Sequence, residues 1–187
     1  MAREQDGRQR DADDSFTGRA AQLAAVAELL RLRCNAAIPE IDLGTDVFAF
    51  RDGREEVARL QVKACTVPRA YADGSGFSAR FALPLKQLRG FDDRPPLFYV
   101  LAVYRDGHWS DYLVVGRARL RGFENERGAG KFGSPNEASG ELTITVEFRA
   151  TVTCSGRDLT DCRNAWATLP PLLPLPDLGP EPANDQA

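Results

Sequence analysis

The sequence predicts an α/β sandwich with a central mixed sheet, an N-terminal helix and flanking helices. Two observations predict it. Helical apolar spacing opens the body of the chain, a run of short strands separated by Gly-containing turns follows, and a second helical stretch closes it. In the middle lies the continuous apolar run Leu97 to Tyr104, which marks a strand covered on both faces and therefore central to its sheet.

Each element has a local justification. Arg19 to Arg33 reads as a helix whose apolar stripe is Leu23, Val26, Ala27 and Leu30, with Ser15 or Thr17 as its cap and Asn35 and Pro39 as its stop. Asp42 to Phe50 reads as a strand. Asp52-Gly53 is a hairpin signal, and Val57 to Cys65 is the returning strand. Phe77 to Leu83 is a further strand, and Pro84 begins a short helical piece ending at Arg89. After Leu97 to Tyr104, Asp106-Gly107 turns the chain into Tyr112 to Val115. Residues 124–140 are rich in Gly, Ser, Asn and Pro and read as a loop. Leu142 to Cys154 alternates and reads as a half-buried strand. Leu159 to Leu169 reads as a closing helix with Trp166 inward.

Composition narrows the function. A chain of 187 residues with 43% hydrophobic content can bury one core. No apolar run reaches the roughly 18 to 20 residues of a membrane span. The N-terminal segment has no apolar h-region, so it does not read as a secretory signal. The four cysteines, Cys34, Cys65, Cys154 and Cys162, show no CxxC spacing, which disfavours a zinc site and a disulfide framework and points to a reduced, cytoplasmic setting. The single histidine, His108, sits in a turn-like Asp-Gly-His and reads as a solvent-exposed residue rather than a catalytic base.

Charge is uneven. The net charge is -3, yet residues 1–16 carry three Arg against five acids and residues 171–187 carry three acids and no base. The stretch between them is therefore mildly basic, which permits nucleic-acid binding without demanding it. The expected organisation is a disordered charged tail over 1–16, one folded domain over 17–169, and a Pro-rich disordered tail over 170–187.

The chemistry concentrates in Gly44-Thr45-Asp46, the Asp52-Gly53 turn, and Gln61-Val62-Lys63. If Arg51 pairs with Arg54, Asp46 lies opposite Arg59 and diagonal to Gln61. If Phe50 pairs with Val57, it lies opposite Gln61 itself. Either register sends Asp46, Gln61 and Lys63 to one face, because strand side chains alternate with a period of two. A carboxylate there suits a hydrated Mg²⁺. A side-chain oxygen at position 61 offers the ion another ligand, and a lysine can orient water or stabilise charge on a phosphate. The same residues also fit an ordinary cross-strand ion pair worth about 0 to 1 kcal/mol.

Thr17-Gly18-xxx-Gln22, Ala27-Glu28-Leu29-Leu30, Gly44-Thr45-Asp46 and Leu60-Gln61-Val62-Lys63 together resemble the PD-(D/E)XK nuclease superfamily. The likeness is nearest to its Holliday-junction-resolvase-like and uncharacterised prokaryotic endonuclease-like branches. It covers residues 17–66 by motif and extends weakly to the strands near 96–100 and 111–115. It implies a restriction-endonuclease-like sandwich and an endodeoxyribonuclease that uses Mg²⁺ or Mn²⁺, with DNA as partner and a homodimer for two-strand cutting. Carried over, Asp46 is the metal-binding aspartate, Lys63 the catalytic lysine, and Gln61 stands where the second acid usually sits. Gln22 stands where these branches place a glutamate and would position water or phosphate. Glu28, about 150° from the centre of the expected apolar stripe, is a poor replacement. Asp42 and Glu40, which precede Asp46 closely, are the other candidates to supply the carboxylate missing at positions 22 and 61. Two neutral amides in place of two carboxylates leave Asp46 as the one sure anion, so a catalytically degenerate module that binds nucleic acid or a protein is the alternative. Arg80, Lys86, Arg89, Arg117, Arg119 and Arg121 are candidate phosphate contacts, the last three alternating on one face if the strand reaches them.

Overall fold

The computed structural model of the protein describes residues 2–41, 44–90, 95–125, 133–136 and 138–174. One long helix, α1 (Ala2–Arg31), precedes a mixed sheet made of β1 (Asn35–Ala37), β2 (Val47–Phe50), β3 (Val57–Cys65), β6 (Leu97–Arg105) and β7 (His108–Gly116) in that spatial order. The first three strands form an antiparallel meander; β6 then joins β3 in parallel and β7 returns antiparallel. Between β3 and β6 the chain makes β4 (Arg69–Ala70), β5 (Phe77–Pro84) and the short helix α2 (Leu85–Leu88). After α3 (Arg117–Asn125) come β8 (Ser134–Asn136), β9 (Glu141–Phe148), β10 (Val152–Cys154) and β11 (Arg157–Asp158). Strands β4, β5 and β8 to β11 form a second, antiparallel sheet.

Three layers result. α1 and the C-terminal turns, through Trp166 and Leu169, cover one face of the mixed sheet with Leu60, Val62, Val100 and Val114. The second sheet covers the other face, where Phe81, Ile144 and Phe148 meet Tyr99, Leu101 and Leu113. Burying roughly 25 cal/mol for each Å² of apolar surface drives both contacts.

Three expectations need correction here. The domain holds two sheets, and a sheet occupies the place where flanking helices were expected. Residues 77–84 and 141–148 bury every second side chain, so two alternating strands present an apolar face as well as a helix does. Leu142 to Cys154 is a hairpin, because Arg149 N donates to Thr151 O and β10 folds back on β9. The closing helix is a series of 3₁₀ turns at Thr160–Cys162, Trp166–Thr168 and Pro170–Leu172. Asn164 at φ 52° and the prolines at 170 and 171 interrupt any longer helix.

The ends differ as well. Helical backbone begins at Ala2, where the sequence read a tail; residues 2–14 contain Ala, Arg, Glu and Gln and no proline. At the other end Pro171 is buried, and Arg54 Nη1 donates to its carbonyl and to that of Leu173 at 3.3 and 2.6 Å. The rest of the Pro-rich segment, 175–187, lies outside the described residues.

The helix also turns a different face to the core. Ala21, Ala25 and Leu29 are fully buried, whereas Leu23 and Leu30 are 49% and 57% exposed. The helix carries two apolar stripes, and the one of smaller side chains faces the sheet, where Val47, Leu60 and Val62 already fill the space.

No described helix is long and apolar enough to cross a membrane. All four cysteines are free and buried. Burial pushes the thiols of Cys154 and Cys162 up to about 11. Unfolding lets them ionise near the ordinary value, so above it the unfolded state binds fewer protons. Stability should therefore fall as pH rises from about 9 towards 11. Urea unfolding across that range checks this, and unchanged midpoints would refute it.

Candidate active-site cleft

The hairpin register decides the site. Phe50 pairs with Val57 and Val47 with Leu60, the wider of the two expected registers, so Asp46 stands opposite Gln61. β2 ends there while β3 runs on to Cys65. Beyond Leu60 no described strand lies opposite this edge of β3, and Asp46 completes the ladder: its backbone N donates to Leu60 O at 2.8 Å, and its carboxylate Oδ2 accepts Val62 N at 2.6 Å. The same oxygen accepts Gln61 Nε2 at 2.6 Å.

Gln61 is fixed by what lies behind it. Its Oε1 accepts Gln87 Nε2 at 2.8 Å, and that nitrogen also donates to the carbonyl of Gly44. A carbonyl only accepts and a carboxylate only accepts, so the orientation of both amides follows. Gln61 thus shows its nitrogen to Asp46 and its oxygen to Gln87. Gly44 adopts φ +88°, a left-handed backbone that favours glycine, and a Cβ there would lie 2.9 Å from Gln87 Nε2.

From the helix side, Gln22 Nε2 donates to the backbone carbonyl of Asp46, and Arg19 Nη1 donates to Gln22 Oε1. Gln22, Asp46, Gln61 and Lys63 line one cleft of about 320 Å³ together with Ser15, Gly18 and Arg19. All four residues singled out in the sequence therefore come together. Glu28 takes no part; it faces the other flank of α1 and pairs with Arg31 at 2.7 Å. Glu40 is exposed and Asp42 lies outside the described residues.

Two contributors escaped the sequence. Arg19 could have been found from its i, i+3 spacing to Gln22. Gln87 could not, because only the crossover from β5 brings α2 against Gly44.

Four of the other six basic candidates have structural work. Residues 117–121 are helical, so Arg117, Arg119 and Arg121 do not share the strand face expected of them. Arg117 is buried and donates to Gln87 O at 3.2 Å. Arg119 pairs with Asp161 at 2.6 Å, and Arg121 donates to Gly90 O at 2.7 Å. Arg89 pairs with Glu124 at 2.8 Å. Arg80 and Lys86 are exposed, and His108 is an exposed turn residue near Asp106 O.

No family model, no curated protein and no solved structure matches this chain. The chemistry of the cleft has to be argued from its own groups. Among the described residues no three His, Cys, Asp or Glu side chains cluster as a metal site. The donor set fits a hydrated Mg²⁺-like ion at its lower limit, since such an ion accepts one carboxylate when waters and phosphate oxygens complete its shell. Among its described lining residues, Arg19 and Lys63 against Asp46 give the cleft a net positive charge, which suits an anionic ligand.

Proposed function

We propose that the protein is a nuclease-like domain of the PD-(D/E)XK type that hydrolyses DNA phosphodiester bonds with Mg²⁺ or Mn²⁺. The observation that carries this reading is the convergence of Gln22, Asp46, Gln61 and Lys63 from α1, the start of β2 and β3 in one cleft. The order of helix, antiparallel meander and parallel β6 also supports it.

Asp46 would hold the cation, its carboxylate aimed by Val62 N and Gln61. When bound, the ion supplies Lewis-acid polarisation of a phosphoryl oxygen. Lys63 places an ammonium in the cleft to orient water or to stabilise charge growing on the phosphate. Gln22 fixes the Asp46 backbone to α1 and so sets the helix against the strand edge. Arg19 adds a second cation for the phosphate backbone.

The amide chain favours a second reading. Gln61 already satisfies Asp46, and its own oxygen is engaged by Gln87. A domain that binds nucleic acid without cutting it fits this closed network.

Nicking of supercoiled plasmid separates the two. The enzyme should cut with Mg²⁺ or Mn²⁺, stop in EDTA, and lose about a hundredfold or more in rate in Lys63→Ala. No cutting with either ion, alongside DNA binding that weakens steeply with salt, would leave only the binding module.

A further inference from the structure

Gln87 is not among the described residues that line the cleft, yet it decides what the cleft presents beside Asp46. Its Nε2 donates twice, to Gly44 O and to Gln61 Oε1. Its own Oε1 is buried and meets no donor among the described residues. Turning the Gln87 amide over would set that oxygen against the Gly44 carbonyl, which only accepts. A buried oxygen without a partner costs free energy, and here that cost comes with an N–H held against Gln61.

The main chain is held as firmly. Gln87 O accepts Gly90 N and Arg117 Nη1, each at 3.2 Å, and Leu85 and Leu88 to either side are buried. The donor therefore cannot withdraw from Gln61 without moving α2.

The consequence falls on the cation. Gln61 sends Nε2 to Asp46 Oδ2 at 2.6 Å, so its partial positive end lies on the carboxylate that would hold the ion. Its oxygen, the atom a hard cation takes as ligand, is turned away.

We propose that Gln87 is a positioning residue. By withholding the Gln61 oxygen it keeps Gln61 out of the cation's ligand shell, and so it sets how tightly the cleft holds Mg²⁺ or Mn²⁺. The inference rests on the reading of the cleft as a cation site, and its test separates the two.

An acceptor at position 87 should reverse the arrangement. With a carboxylate on each side, Gln61 must set its oxygen against one of them, and a cation at Asp46 relieves that opposition when the oxygen points there. Mn²⁺ titrations of the full chain without DNA, read by the electron paramagnetic resonance of free Mn²⁺, measure the effect. Gln87→Glu should bind Mn²⁺ about tenfold more tightly than the wild type, the scale on which groups behind a metal ligand tune affinity. Gln87→Met adds no charge and only releases Gln61. It should tighten binding by less, and it carries the test if Gln87→Glu does not fold. In a Gln61→Met background the gain of Gln87→Met should vanish, and that of Gln87→Glu should shrink to what its added charge supplies. A merely structural Gln87 would lose melting temperature and affinity together. No tightening in either variant, or gains as large without Gln61, would overturn the inference alone. If Asp46→Asn removes no Mn²⁺ binding from the wild type or the variants, the cation reading falls and this inference with it.

Discussion

Replacing Asp46 by Asn is expected to abolish metal-dependent strand cleavage while leaving the chain folded. Two donors to the carboxylate, Val62 N and Gln61 Nε2, meet the same oxygen, Oδ2. An asparagine can place its amide oxygen there and keep both bonds. What it loses is the charge. Charge-assisted hydrogen bonds are about twice as strong as neutral ones, so the cost in stability should be about 1 kcal/mol. The loss at the cation is larger, because Asp46 is the only carboxylate among the described cleft residues. A drop of about a hundredfold or more in cleavage rate corresponds to roughly 3 kcal/mol in the barrier. Nicking rates at fixed Mn²⁺, read beside thermal melts, separate the two effects. A variant that melts slightly lower yet cuts at the wild-type rate would remove Asp46 from the chemistry.

Gly76→Ala is expected to be the most destabilising alanine substitution among the described glycines. Gly76 stands at the entry to β5 with φ +147°, a backbone that an L side chain rarely adopts. A Cβ added there would come within 1.9 Å of Phe148 O and 3.2 Å of Arg149 Cα. Neither can yield cheaply: Phe148 belongs to β9, pairs with Phe77 and stacks on its ring at 4.6 Å. Relief of the clash requires β5 and β9 to part at this end, which opens the core between the sheets. The expected cost is about 3 kcal/mol or more, and the melting temperature should fall by roughly 6 to 12 °C. Gly74→Ala is the control, because that residue also has positive φ but nothing within 4 Å of its added Cβ. Equal melting temperatures for the two variants would show that the clash is relieved at no cost.

Much of the cleft was legible because it is local. Val57 to Cys65 is a strand with the expected bounds, and a two-residue period put Asp46, Gln61 and Lys63 on one face before any register was known. The turn at Asp52-Gly53 left two registers open, and pairing of Phe50 with Val57 selects one. Gln22 reached the site as its spacing on the helix suggested. The reason given for it was faulty, however, since Leu23, Ala27 and Leu30 of the stripe thought to be buried are exposed and only Val26 packs against the core.

That helix shows where sequence stops. Leu23, Val26, Ala27 and Leu30 satisfy helical periodicity, and so do Ala21, Ala25 and Leu29. Periodicity ranks neither stripe, and hydrophobic size ranks them the wrong way. The choice belongs to the sheet, whose own bulky residues leave room for alanines at close approach. Gln87 is the second case. Nothing within the chain near Gly44 announces that an amide forty-three residues later will meet its carbonyl. The sequence by itself determined the period of the strand Val57 to Cys65, the turns at Asp52-Gly53 and Asp106-Gly107 and the chemical identity of the cleft residues, because each depends on neighbours within a few positions. Which face of α1 is buried, which strand register holds, and which way the Gln61 amide points were decided only by tertiary contact, because each depends on the shape and hydrogen bonding of a partner far away along the chain.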